Sequence, residues 1–92
     1  MKEAVVKRKF ADVFRQCKNG VYLEVFQGNM RVAYNSKLYE NKVWVRYQVL
    51  RICDDTISIT IPVGMIQSID VAEFSFPNKA VKYILSVSLK GE

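Results

Sequence analysis

Apolar residues recur at three- and four-residue steps at the start of this chain and at two-residue steps afterwards. That pattern predicts one helix followed by strands. Val6, Phe10, Val13, Phe14 and Cys17 fall within an arc of about 100° on a helical wheel, a normal core-facing stripe. The spacing predicts a helix over 3–18. Lys18-Asn19-Gly20 suits its end, with a cation in the last turn and then residues that tolerate left-handed geometry. A competing reading makes 3–10 a strand, with Ala4, Val6, Arg8 and Phe10 on one side, followed by a short helix. The unbroken spacing from Val6 to Cys17 favours the helix.

Strands are expected over 21–27, 30–35, 42–53, 56–61, 66–72 and 80–89. Gly28-Asn29 separates the first two and suits a type II′ hairpin turn, which wants Gly first. The segment 42–53 sets Val43, Val45, Tyr47 and Val49 against Trp44, Arg46, Gln48 and Leu50. Its alternation blurs at Arg51 and Ile52, which suggests a bend or bulge. Asp54-Asp55 turns the chain. Ile57, Ile59 and Ile61 then alternate with Ser58 and Thr60, and Pro62 and Gly64 end that strand. Residues 75–79, with Pro77-Asn78, read as a loop. The expected architecture is one α+β domain over 1–92. An N-terminal amphipathic helix precedes a five- or six-stranded antiparallel, barrel-like sheet, because closure removes exposed edges. The helix would pack on the sheet or plug an open end.

Charge changes this picture at one end. Residues 1–20 carry six cations (Lys2, Lys7, Arg8, Lys9, Arg15, Lys18) against Glu3 and Asp12, a balance of +4, out of +5 for the whole chain of 92 residues. On the wheel Lys7, Arg8, Arg15 and Lys18 share one flank beside the apolar stripe. Such a flank suits nucleic acid, an acidic membrane surface or an acidic protein, or is simply a solvated face. No apolar run approaches the roughly 20 residues of a membrane span, and the charged N-terminus has no apolar signal-peptide core. Both features predict a cytoplasmic protein.

Candidate chemistry is sparse. The chain has no histidine, no phosphate-cradling glycine loop and no metal-ligand cysteine spacing, so neither an enzyme nor a cofactor is expected. Cys17 and Cys53 read as small buried hydrophobes; a disulfide between them would need an oxidising compartment. Asp54-Asp55 reads as a turn that caps local backbone amides rather than as a metal site. Cys53 beside it lacks an activating base.

A binding surface is better supported. If the valines of the first three strands line the core, their other face shows Tyr22, Phe26, Arg31, Trp44, Arg46 and Gln48. Aromatics mixed with Arg on a sheet resemble platforms that stack single-stranded bases. The helix stripe also needs a surface to cover, and Tyr22, Phe26 and Trp44 are the obvious apolar patch for it. The leading expectation is a non-enzymatic binding domain for single-stranded nucleic acid, using Lys7, Arg8, Arg15, Lys18, Arg31, Trp44, Arg46 and Tyr22. The alternative is a protein-interaction module, a phage or accessory adaptor that binds an acidic partner or forms a homodimer. Ile61-Pro-Val-Gly-Met-Ile-Gln-Ser-Ile69 resembles a stretch of bacterial pleckstrin-homology-like domains, and the resemblance implies no functional residue.

Overall fold

Helix α1 spans Glu3–Gln16 in the computed structural model, which describes residues 1–78 and 80–91. Lys79, the expected end of the 75–79 loop, and Glu92 lie outside the described residues. The helix forms where the sequence pattern places it, and Val6, Phe10, Val13 and Phe14 are its buried residues. Burying each such side chain contributes about 1.5–3 kcal/mol. Its end is tied by Cys17 N–H donating to the Val13 carbonyl at 2.8 Å and Gly20 N–H donating to the Cys17 carbonyl at 3.1 Å. Gly20 has φ 93°, and a Cβ there would lie 3.1 Å from the Leu38 carbonyl oxygen, so both backbone and space require glycine.

The described residues form seven strands in two sheets. These are β1 (Val21–Gln27), β2 (Met30–Leu38), β3 (Val43–Arg46), β4 (Val49–Cys53), β5 (Ser58–Pro62), β6 (Ile66–Ser75) and β7 (Val81–Leu89). Short 3₁₀ turns at Glu40–Lys42 and Val63–Met65 lead into β3 and β6. The four-stranded sheet has the order β2-β1-β7-β6, and the three-stranded sheet the order β3-β4-β5.

The seven strands outnumber the expected five or six, divide between two sheets, and form no closed barrel among the described residues. Two further expectations need correction. The larger sheet is mixed rather than antiparallel: β7 returns from the far end of the chain to lie parallel to β1, with Leu23 opposite Leu85 and Val25 opposite Val87. A parallel pair needs a long crossover, and everything between β1 and β7 supplies it. The expected twelve-residue strand over 42–53 is a hairpin. Tyr47 and Gln48 take φ 53° and 63°, and Arg46 pairs with Val49 across them. Two successive left-handed residues are the mark of a type I′ turn. Smaller shifts lengthen the 30–35 strand to Leu38 and the 66–72 strand to Ser75, and start the 56–61 strand at Ser58.

The hairpin decides which side chains face the core. In a continuous strand, Val45 and Leu50 would lie on opposite faces. Across a two-residue turn they are register partners and share a face. Val45, Leu50 and Ile52 are accordingly buried, while Trp44, Arg46 and Arg51 face out. The inner faces of both sheets and the stripe of α1 meet in one core cluster, with Leu23, Leu38, Leu50, Ile52, Ile57, Ile66 and Leu85 almost wholly buried. The stripe is therefore spent on this core. It does not cover Trp44, which is 42% exposed.

Candidate binding groove

The outer face of the three-stranded sheet is ordered by register. Trp44 lies opposite Arg51, which lies opposite Thr60; Arg46 lies opposite Val49, which lies opposite Pro62. Trp44, Arg46, Tyr47, Val49, Arg51 and Cys53 line an open groove of about 460 Å³ on this face. Tyr47 stands at its end on the hairpin turn with 91% of its surface in solvent. Among the described residues the lining holds two guanidinium groups and two aromatic rings, and no carboxylate. A cationic, acid-free and aromatic surface can hold an anion by charge and a flat ring by stacking.

The helix extends this surface. A crevice between α1 and β3 is lined by Lys7, Phe10, Phe14, Trp44 and Arg46, with Glu40 as its one acid among the described residues, so it shares two side chains with the groove. A further shallow hollow joins Glu3, Lys7, Arg46, Tyr47 and Gln48. Lys7, Trp44, Arg46, Tyr47 and Arg51 thus belong to one continuous region. Glu3 ties its parts together. Its Oε1 accepts from the Gln48 N–H at 2.6 Å, and its Oε2 lies 3.7 Å from Lys7 Nζ.

The eight side chains expected from sequence do not gather at one place. Lys7, Trp44 and Arg46 do. Arg8, Arg15 and Lys18 are exposed, with Arg15 paired to Asp12 at 3.2 Å along the helix. Tyr22 and Arg31 lie on the outer face of the other sheet, and both inner faces share one core, so they point away from the groove. There Lys82 Nζ sits 4.4 Å from the centre of the Tyr22 ring, and Arg31 is bound to Glu24 at 2.5 Å. The hydrogen bond to Glu24, and then its charge, push the Arg31 guanidinium above its ordinary value. Phe26 lies opposite Arg31 and is half-buried on this same face. One combined aromatic platform from Tyr22 to Trp44 is therefore not formed.

Tyr47 and Arg51 are the groove residues that the strand pattern hides. Arg51 between Leu50 and Ile52 carried the signal: an isolated cation between two large aliphatics marks an outward position, which requires the register to invert before it. Cys53 is half-exposed at the groove rather than buried, whereas Cys17 is buried beneath the end of α1; both thiols are free. Burial, reinforced by the Glu73 carboxylate, pushes the Cys17 thiol up. Asp54 acts in its turn: its N–H donates to the Ile57 carbonyl at 2.8 Å and its carboxylate accepts from the Asp55 N–H. Among the described residues no helix is long and apolar enough to cross a membrane.

Fold and groove together define a two-sheet α+β domain with a cationic aromatic face. Comparison with protein-family models, with curated proteins and with solved structures finds no match to this chain.

Proposed function

We propose that this chain is a non-enzymatic binding domain for single-stranded nucleic acid, and that the groove on the three-stranded sheet is its site. One observation carries the reading: Trp44 and Tyr47 stand exposed on a face whose charged lining is Arg46 and Arg51, with Lys7 at its border. Bases stack on the two rings, each contributing about 1–3 kcal/mol. Arg46, Arg51 and Lys7 neutralise phosphates, which fixes the strand on the face without selecting its sequence. Arg8, Arg15 and Lys18, exposed away from the groove, add only to the general positive field that draws a polyanion toward the protein. Tyr22 and Arg31, on the far sheet face, have no part in this site.

Anisotropy of a labelled oligothymidylate of about 12 nucleotides, within the usual site size for such surfaces, tests the reading. The expected result is binding that weakens with salt and that falls on Trp44→Ala or Arg51→Ala. Binding unchanged by both substitutions would sink it.

A second reading, self-association, draws on a different place. Phe74, Phe76 and Val81 stand about half-exposed at the tip of the β6–β7 hairpin. Light scattering of the wild type and of a Phe74→Ser/Phe76→Ser variant separates the two readings. A dimer lost in the variant with oligonucleotide binding intact would assign the tip to self-association and the groove to nucleic acid.

A further inference from the structure

We infer that Glu3, an acid beside a groove for a polyanion, is a positioning residue that holds Tyr47 in place for stacking. The consequence for affinity rests on the nucleic-acid reading above; the effect on the hairpin does not. Tyr47 and Gln48 both occupy the left-handed region, at φ 53° and 63°, without the Asn or Gly that makes such a turn easy. Side chains other than Gly and Asn adopt that region only where their surroundings impose it. Here two contacts do so, one on each backbone polar group of Gln48. The Gln48 N–H donates to Glu3 Oε1 at 2.6 Å, and the Gln48 carbonyl accepts from the Val63 N–H at 2.9 Å.

The Val63 contact comes from the segment after β5, and the Glu3 contact from the first turn of α1. The Glu3 side chain is only 24% exposed, and Lys7 at 3.7 Å holds its second oxygen. The hairpin tip is thereby clamped between the helix and the sheet connection. Tyr47 has little packing of its own at 91% exposure. The backbone of its turn sets the point from which the ring projects, and Glu3 fixes that backbone.

This assignment reverses the sign expected from charge. Glu3 borders a hollow with Lys7 and Arg46. If it acted only as a charge, removing it would leave two cations unopposed and tighten the binding of a polyanion. If it positions Tyr47, removing it frees the turn and weakens binding. Glu3→Gln separates the two roles, since an amide oxygen still accepts from the Gln48 N–H but carries no charge.

The experiment pairs anisotropy of a labelled oligothymidylate with amide hydrogen exchange at Gln48, using the full chain. Thermal melts confirm that each variant is folded. Glu3→Ala is expected to lower affinity by about five- to tenfold, the effect of losing one stacked aromatic. It adds little further loss in a Tyr47→Ala background. Glu3→Gln keeps or improves on wild-type affinity. Gln48 exchange accelerates in Glu3→Ala and stays slow in Glu3→Gln. Tighter binding by Glu3→Ala, or equal Gln48 exchange in wild type and Glu3→Ala, would overturn the inference. Oligonucleotide binding absent in the wild type, with Gln48 exchange still governed by Glu3, would overturn the nucleic-acid reading and uphold the clamp.

Discussion

Replacing Tyr47-Gln48 by Asn-Gly should stabilise this protein and weaken its binding at once. The turn holds two left-handed residues, at φ 53° and 63°. That conformation costs an ordinary L-residue roughly 1–2 kcal/mol. Asn tolerates it and Gly adopts it freely, which is why Asn-Gly is the preferred type I′ pair. Against this gain stands the extra entropy that Gly brings to the unfolded chain, about 0.5–1 kcal/mol. Little packing is lost, since Tyr47 is 91% exposed. The two bonds at residue 48 come from its backbone and survive the change. The net expectation is a gain of about 1–2 kcal/mol, or roughly 5–15 °C in Tm for a domain of this size. The groove meanwhile loses one of its two rings, so oligonucleotide affinity falls about tenfold. Thermal melts by circular dichroism give the first quantity and anisotropy the second. A Tm that stays level or falls would show that residues 47 and 48 are not left-handed, and the inverted register would lose its basis.

The same register is open to a packing test. Leu50→Ala should cost about 2–5 kcal/mol because Leu50 is fully buried, whereas half-buried Val49 should cost clearly less on truncation. Urea unfolding that ranks the two the other way would restore a continuous strand. Under native conditions a thiol reagent should modify Cys53 well before Cys17, since Cys17 is buried and Cys53 lines the open groove; equal rates would contradict this placement. Burial, with Glu73 adding to it, pushes the Cys17 thiol above its ordinary value of 9.0. The thiolate is thus disfavoured only in the folded chain. Its contribution to stability is fully present below about pH 9 and is lost as pH rises through the folded value. Cys17→Ala should flatten that alkaline decline in urea midpoints, and a decline unchanged by the substitution would assign it to another group.

Local patterns were legible wherever one face of an element is buried. The stripe from Val6 to Cys17, the alternation at Val21 and Leu23 of β1 and at Leu85 and Val87 of β7, and the Gly28 turn, with φ 58°, all appear where the side chains imply them, whereas Val81 at the start of β7 is exposed. The turn at Tyr47-Gln48 was hidden because neither residue type favours left-handed backbone; tertiary contacts from Glu3 and Val63 impose it. The parallel pairing of β1 with β7 was hidden for another reason. It joins the two ends of the chain, and alternation records only which face is buried, never which strand lies alongside. The candidate site inherits both effects. Lys7, Trp44 and Arg46 were visible as a cation, a ring and an Arg beside the core pattern. Tyr47 and Arg51 emerge only once the hairpin inverts the register, and Tyr22 and Arg31 drop out once the strands divide into two sheets.

The groove's role is tested most directly by following Trp44, the chain's single tryptophan, during an oligothymidylate titration at several salt concentrations. Stacking on Trp44 predicts quenching that tracks anisotropy along one binding curve. Lys7, Arg46 and Arg51 provide about three phosphate contacts, so the logarithm of affinity should fall with that of salt at a slope near −2. Binding that leaves Trp44 fluorescence unchanged, or no binding at low salt, would contradict the account.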